Sequence, residues 1–328
     1  MTDSKILTNA KDPARFRVFT RLSAAAGAVV WVLLLLTRTS DSDETEMIHK
    51  VVFFAMLVIV PLGLSLVTAG EEIISVLLYR AAVLVQPVAV VVTIASFYFD
   101  KGILSASLSA AWLVVCAFVA LLGLSRLTAR GLYPLYESSI DAGLLYLPVA
   151  GGWLIVYRLG VQPFDHGEII ILLTVIHFHF AGFAAPIIAG LTGKMLTQTS
   201  HPPGRGYVFV VIALVAAMPL VAAGITFSPL IGLAGTILIA AGLVMLAVLT
   251  LARVLPAVSS LSARLLLAIA ALSSCAAMTL ACLYAYSLVA HILILRIPTM
   301  AMTHGLLNAF GFATCSLIAW SIIDAKKS

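Results

Sequence analysis

Three histidines inside apolar segments are the residues of this sequence best placed to do chemistry. His177 and His179 lie in TVIHFHFAGF, residues 174–183, and His304 lies in a second apolar segment, TMAMTHGLLNAFGF. A neutral imidazole can ligate heme iron, copper or zinc, and it can also form hydrogen bonds or relay protons. Because an ionisable group inside hydrocarbon is costly, each of these histidines predicts a functional role.

The spacing of His177 and His179 limits what the two rings can do together. A separation of two residues on an α-helix corresponds to roughly 200° around the axis, so the rings point to nearly opposite sides. Two histidines of one helix that hold one small metal ion prefer an i, i+4 spacing. The pair is therefore not a chelate: one ring ligates while the other makes a hydrogen bond, or the helix serves two sites.

His304 has polar neighbours on its own segment. Thr303 precedes it, and Asn308 lies about one turn beyond it on nearly the same face. One interpretation is that Asn308 orients the imidazole by hydrogen bonding, while Gly305 and Gly311 let a flat cofactor approach. The other is a glycine-lined helix crossing held together by a buried amide. Both interpretations remain open on the residues alone.

The amino-acid composition indicates the kind of protein in which these histidines lie. Of the 328 residues, 62% are hydrophobic and only 10% are charged, whereas a soluble domain has about a quarter of its residues charged. Such a chain cannot cover a soluble particle with polar surface, so the sequence predicts an all-α integral membrane protein. The net charge of +5 comes from basic residues that lie between apolar segments, so it does not indicate nucleic acid as a partner.

Apolar segments of about twenty residues each cross a bilayer once. Ten of them predict a bundle of ten transmembrane helices in a single membrane domain, residues 18–323, between cytoplasmic tails at 1–17 and 324–328. The acidic stretch DSDETE, residues 41–46, is predicted to cap the second helix. The predicted segments are roughly 18–37, 47–69, 77–98, 103–124, 140–158, 168–191, 206–226, 229–252, 264–290 and 298–323.

The distribution of basic residues predicts the orientation of this bundle. With both termini in the cytoplasm, fourteen of the nineteen lysines and arginines lie on the inner side and five on the outer side, as the positive-inside rule requires. In this topology His177, His179 and His304 lie in the outer half of the membrane, and their depths differ by one helical turn. A site shared by the sixth and tenth helices is therefore geometrically allowed.

Four segments resemble the YndJ-like family of multi-pass bacterial membrane proteins. They are IVPLGLSLV (59–67), YLPVAGGWLIVYRLG (146–160), IHFHFAGFAAPIIAG (176–190) and PTMAMTHGLLNAFGF (298–312), and they occur in order along most of the chain. The resemblance implies a multi-pass protein of the bacterial inner membrane. It carries little biochemistry beyond a general expectation of transport.

Two of these segments also resemble the heme-ligand helices of heme–copper terminal oxidases. HFHF is similar to the His-Phe-His of a late oxidase helix, and THGLLNAFGF is similar to an early helix that carries an axial ligand. The resemblance implies that His304 and His179 hold one heme between them while His177 faces a second site. The two motifs occur in reversed order and the copper-binding histidines have no counterpart, so a full oxygen-reducing centre is not expected.

The sequence leads to two hypotheses about function. The first is a heme- or metal-associated membrane protein that ligates its cofactor through His177, His179 and His304, supported by Asn308 and Thr303, and acts in electron transfer, small-gas chemistry or sensing. The alternative is a carrier of a small or lipid-like substrate that uses the same histidines to relay protons or bind substrate. The expected partners are the lipid bilayer and either a redox partner or a small substrate. A scaffold with structural histidines is the third interpretation.

Overall fold

A computed structural model describes residues 13–199 and 203–326. Within these ranges, ten helices are long and apolar enough to cross a membrane, which confirms the predicted all-α bundle. The outermost residues of both predicted tails lie outside the described residues, and the cytoplasmic orientation stays a prediction. The helices are α1 (Arg15–Leu34), α2 (Asp43–Leu64), α3 (Ile73–Ser96), α4 (Ile103–Arg130), α5 (Leu135–Leu159), α6 (Glu168–Thr197), α7 (Arg205–Phe227), α8 (Pro229–Ala257), α9 (Leu261–Val289) and α10 (Ile297–Ala325).

The chain divides into two compact units. Unit 1 contains the described residues up to Gly131 together with Leu144–His179, and unit 2 contains Leu132–Gly143 and the described residues from Phe180 onward. Helices α5 and α6 each contribute one part to unit 1 and the other part to unit 2. The single membrane domain over residues 18–323 stays a prediction.

Helix α2 forms the core of unit 1. In its most apolar stretch 94% of the residues are buried, against 17% in α1. The Trp31 indole of α1 donates a hydrogen bond to the Lys50 carbonyl of α2 at 2.7 Å, and its ring meets Phe54 edge-on with centroids 4.9 Å apart. Polar side chains on α2 are therefore removed from lipid and must find partners inside unit 1.

The start of α2 follows from its acidic sequence. The Ser42 hydroxyl accepts a hydrogen bond from the Thr45 backbone N–H at 3.4 Å, and Asp43, Glu44 and Glu46 occupy the first turn. Negative charge is favourable there because it faces the positive end of the helix dipole. The predicted capping of the second helix is confirmed.

Four of the long helices contain π-helical segments, in which each backbone bond spans one residue more than in an α-helix. Such segments are rare and frequently occur at functional sites. The segment in α2 is contacted by Gln86 of α3, whose amide donates to the Met56 carbonyl at 2.9 Å. The segments are Ala55–Ile59 in α2, Phe178–Ala184 in α6, Thr250–Val254 in α8, and Ala301–Gly305 and Leu307–Thr314 in α10.

In unit 2, α7 and α8 form a tight helical hairpin. Only Ser228, in an extended conformation with φ −163°, separates the end of α7 from Pro229 at the start of α8. Close to this connection the two backbones approach so closely that a Cβ on Gly224 would overlap the backbone of Gly232. The short gap that the sequence predicts between the seventh and eighth segments is therefore a turn between two helices. Glycine makes the close approach of the two backbones sterically feasible.

Candidate functional site

His177 and His179 lie in the part of α6 that belongs to unit 1, where the α-helix changes to π-helix. The His177 Nδ1 lies 2.6 Å from the Leu173 carbonyl oxygen, and the His179 Nδ1 lies 2.8 Å from the Val175 carbonyl oxygen. A carbonyl only accepts, so in both rings Nδ1 carries the proton and donates. The lone pair of each neutral ring is consequently on Nε2.

The Nε2 lone pair of His179 is already engaged. The Trp112 indole of α4 donates to it at 3.0 Å, and the two rings stack with centroids 5.8 Å apart. His179 is fully buried and has a hydrogen bond at each ring nitrogen. Ligation of a heme or metal by His179 would thus require the loss of the Trp112 bond.

His304 lies in unit 2, on the first π-helical segment of α10. Its Nδ1 donates to the Ala277 carbonyl of α9 at 2.9 Å, which again places the lone pair on Nε2. The Asn308 amide donates to the backbone carbonyl of His304 at 3.0 Å and lies at similar distances, 3.3 and 3.4 Å, from both ring nitrogens. Thr303 is exposed and donates to the Thr299 carbonyl at 2.6 Å. The orientation of the imidazole is therefore set mainly by Ala277.

The predicted site residues are thus distributed over both units, His177 and His179 in unit 1 and His304, Asn308 and Thr303 in unit 2. In the described part of the chain, no group of three or more His, Cys, Asp or Glu side chains is arranged to hold a metal ion. The cofactor site shared by the three histidines stays a prediction.

A second polar cluster, in unit 1, was not predicted to act as a site. It is a chain of four side chains, called here the His49 chain: Tyr157, His49, Thr39 and Glu46. The Tyr157 hydroxyl lies 2.7 Å from His49 Nε2, and His49 Nδ1 lies 2.8 Å from the Thr39 hydroxyl. The Thr39 hydroxyl in turn donates to Glu46 Oε2 at 2.9 Å. His49 is buried, with 2% of its surface exposed.

The direction of every bond in the His49 chain is fixed by its acidic end. The Glu46 carboxylate can only accept, so Thr39 gives it its one hydroxyl proton. The Thr39 oxygen then accepts from His49 Nδ1–H, and the remaining lone pair on His49 Nε2 accepts the proton of Tyr157. All four groups are satisfied in one orientation, which is how buried polar networks avoid an energetic penalty.

Lys50 balances the charge at the Glu46 end. Its Nζ lies 2.5 Å from Glu46 Oε1, and the two side chains are only 5% and 12% exposed. Lys50 also donates to the Thr37 carbonyl at 2.8 Å, while the Thr39 backbone N–H donates to Glu46 Oε2 at 2.7 Å. The pair therefore holds the chain between α1 and α2 against the start of α2.

Charged side chains also surround the Tyr157 end. Lys101 Nζ lies 4.4 Å from the centre of the Tyr157 ring and 2.6 Å from Glu168 Oε1. Arg158, the next residue, is 3% exposed and donates to the Ser96 carbonyl in the last turn of α3 at 2.6 Å. A cation at the end of α3 complements its helix dipole. Ionisable side chains inside an apolar bundle are a functional-site candidate by default.

The sequence contains a signal for this cluster. Glu46, His49 and Lys50 are spaced i, i+3 and i+4, so they share one face of α2. The acidic stretch at residues 41–46 predicts only a cap for the second helix. The partner Tyr157 lies 108 residues away from His49, and nothing in a single sequence connects the two.

The described residues form ten long apolar helices and bury several ionisable side chains, which defines a multi-pass membrane protein. Comparison with known families agrees: the model of the YndJ-like protein family matches residues 50–312, and the chain belongs to this family. All four segments on which the resemblance rests lie within the matched range.

One curated relative is named uncharacterized membrane protein YndJ and comes from Bacillus subtilis (strain 168). It is 29% identical over 215 residues, which cover 66% of this chain and 38% of the relative. The chain thus spans well under half the length of the curated relative it matches. No solved structure matches the chain significantly.

Proposed function

We propose that this protein is a carrier of a small or lipid-like substrate in the bacterial cytoplasmic membrane, and that the His49 chain moves the protons that drive it. The observation that supports this function is the continuous hydrogen-bonded path from Tyr157 to Glu46 in the buried core of unit 1. Chains of acidic residues and histidines serve as proton relays in membrane pumps and transporters.

The proton transfer is balanced along the chain. A proton that arrives at the Tyr157 oxygen displaces the tyrosine proton to His49 Nε2. His49 releases its Nδ1 proton to Thr39, and Thr39 passes its own hydroxyl proton to Glu46. Each hydrogen bond reverses its direction, and one net proton is transferred to Glu46.

Neutralisation of Glu46 gives the relay a structural consequence. A protonated Glu46 no longer forms an ion pair with Lys50, which is buried and would be left with an uncompensated charge. Release of Lys50 would loosen its bond to the Thr37 carbonyl and so free the connection between α1 and α2. In the proposed orientation, with both termini in the cytoplasm, this switch lies at the outer side of the membrane.

The test is proton uptake by the purified protein in liposomes that contain a pH-sensitive dye. A potassium gradient with valinomycin makes the interior negative, and amino acids, monocarboxylates and lysophosphatidylglycerol are added outside as probes. We expect uptake with at least one probe, and a loss of at least tenfold in Tyr157→Phe and Glu46→Gln. Tyr98→Phe is the matched control, because the exposed Tyr98 hydroxyl bonds to Thr37 at 2.8 Å outside the chain. Uptake that is absent with every probe, or unchanged in Tyr157→Phe, refutes the relay.

Heme or metal association at the predicted histidine ligands is the second candidate. The observation that favours it is that the His177 and His304 rings both donate Nδ1–H to a backbone carbonyl, as metal-ligating histidines ordinarily do. A redox partner would accompany this function. An absorption spectrum and a metal analysis test it: a Soret band that is lost in His304→Ala and kept in His166→Ala supports heme. A colourless protein without stoichiometric metal refutes this candidate.

A further inference from the structure

Unit 2 contains a small, mostly apolar cavity into which four hydroxyl-bearing residues project. It lies among α6, α8, α9 and α10, and the space open to the centre of a water-sized sphere is about 10 Å³. That volume is about what a single water molecule requires. Apolar side chains of all four helices form most of its wall, and four hydroxyl groups, one from each helix, complete it: Thr192, Thr250, Ser274 and Ser316.

The four residues that carry these hydroxyls are buried. Thr192 and Ser274 are each 1% exposed, Ser316 is 2% exposed and Thr250 is 7% exposed. A buried hydroxyl without a partner is unfavourable, so such groups are nearly always hydrogen-bonded in native proteins.

Three of the four form no hydrogen bond with the described part of the chain. Within residues 13–199 and 203–326, the hydroxyls of Thr192, Thr250 and Ser316 take part in no hydrogen bond. Ser274 donates to the Ala271 carbonyl at 2.9 Å and keeps its oxygen lone pairs. Hydroxyls in helices ordinarily bond to a preceding carbonyl, as Thr236 of α8 does with Gly232 at 2.8 Å.

We propose that this cavity is a binding site for one oxygen-liganded guest, either a sodium ion or a water molecule. A guest of that size would contact hydroxyl oxygens from four helices at once and so satisfy the three that lack a partner. The π-helical segments Thr250–Val254 and Leu307–Thr314 adjoin the cavity at Thr250 and Phe312. Distorted backbone next to a buried polar site is a feature of cation sites in membrane carriers.

The inference does not rest on the His49 chain. All cavity residues belong to unit 2, whereas the chain from Tyr157 to Glu46 belongs to unit 1. A failed proton-uptake experiment therefore leaves the cavity site intact, and a failed cavity experiment leaves the relay intact.

The sign of a stability change tests the site. Thr192→Val and Ser316→Ala remove a hydroxyl without adding bulk. If a guest binds there, each variant loses a ligand, and we expect the apparent Tm in detergent to fall by about 2–4 °C. If the cavity is empty, each variant removes an unpartnered buried hydroxyl, and the Tm stays the same or rises. Thr236→Val is the matched control, because its hydroxyl has a partner on its own helix.

The choice of cation identifies the guest. Tm is measured for the unmodified protein in sodium chloride, potassium chloride and choline chloride at equal ionic strength. Stabilisation by sodium alone that is lost in Thr192→Val identifies a sodium site, and Thr192→Ser, which keeps the hydroxyl, should retain it. A lower Tm in both variants without cation dependence identifies a bound water. Unchanged or raised Tm in both Thr192→Val and Ser316→Ala overturns the proposal.

Discussion

Replacement of Lys50 by methionine tests the energetics of the buried ion pair directly. Methionine has nearly the length of lysine and keeps the apolar contacts of its stem, so the change removes mainly the charge. It deprives Glu46 of an ammonium group 2.5 Å away and removes the bond to the Thr37 carbonyl. The remaining donors to Glu46 are the backbone N–H and the hydroxyl of Thr39.

The expected loss of stability is large because both partners are buried. Removal of one member of a buried ion pair costs about 3–5 kcal/mol, since the other charge is left uncompensated. For a protein of this size that corresponds to a fall in the apparent Tm of roughly 5–15 °C. The solvent-exposed pair Arg38–Asp43, with an N–O distance of 2.9 Å and side chains 61% and 91% exposed, should respond quite differently: such pairs contribute about 0–1 kcal/mol.

Thermal unfolding in one detergent, followed by tryptophan fluorescence, measures the apparent Tm of Lys50→Met, Arg38→Met, Glu46→Gln and the double variant Glu46→Gln/Lys50→Met. We expect Arg38→Met to remain close to the unmodified protein. The double variant should be more stable than Lys50→Met, because it no longer buries a lone carboxylate. Equal effects of Lys50→Met and Arg38→Met, or strictly additive single changes in the double variant, refute the reasoning.

Two further changes address packing by the same unfolding measurement. Trp112→Phe removes the donor to His179 Nε2 and should lower the free energy of unfolding by about 1–3 kcal/mol. Trp153→Phe is the control at a half-buried indole and should lower it clearly less. Equal losses of stability in the two variants contradict the assigned bond. Gly224→Ala places a methyl group on the α8 backbone and should cost about 1–3 kcal/mol. Gly152→Ala is the control: its new methyl group meets no atom within 4 Å, so the change should be neutral or slightly stabilising. Equal stability of the two alanine variants refutes the close approach of α7 and α8.

Most of the fold was predictable because it depends on local composition. Hydrophobic length alone locates a transmembrane helix, and the ten predicted segments correspond to the ten observed helices. Even the short break between the seventh and eighth predicted segments was located correctly, since α7 ends at Phe227 and α8 begins at Pro229. The acidic start of α2 was predictable for the same reason, as capping involves neighbours within one turn.

The pairing of polar groups was not predictable, because it depends on which distant helices meet. The sequence indicated that His179 needs partners in an apolar environment, yet its donor Trp112 is 67 residues away. A tryptophan in the middle of a transmembrane segment is a usable signal, since its indole N–H also requires an acceptor when buried. The π-helical segments could not be predicted from the sequence either, because apolar periodicity does not distinguish an α-helical from a π-helical turn.

The single residue between α7 and α8 has a consequence for biosynthesis. Ser228 provides no hydrophilic loop, so almost no polar chain has to be carried across the bilayer when these two helices are inserted. A nascent chain with α7 already in place must turn back at once, and the two helices should enter the membrane together as one hairpin. Insertion of a charged tag at Ser228 would therefore interfere with the assembly of both helices.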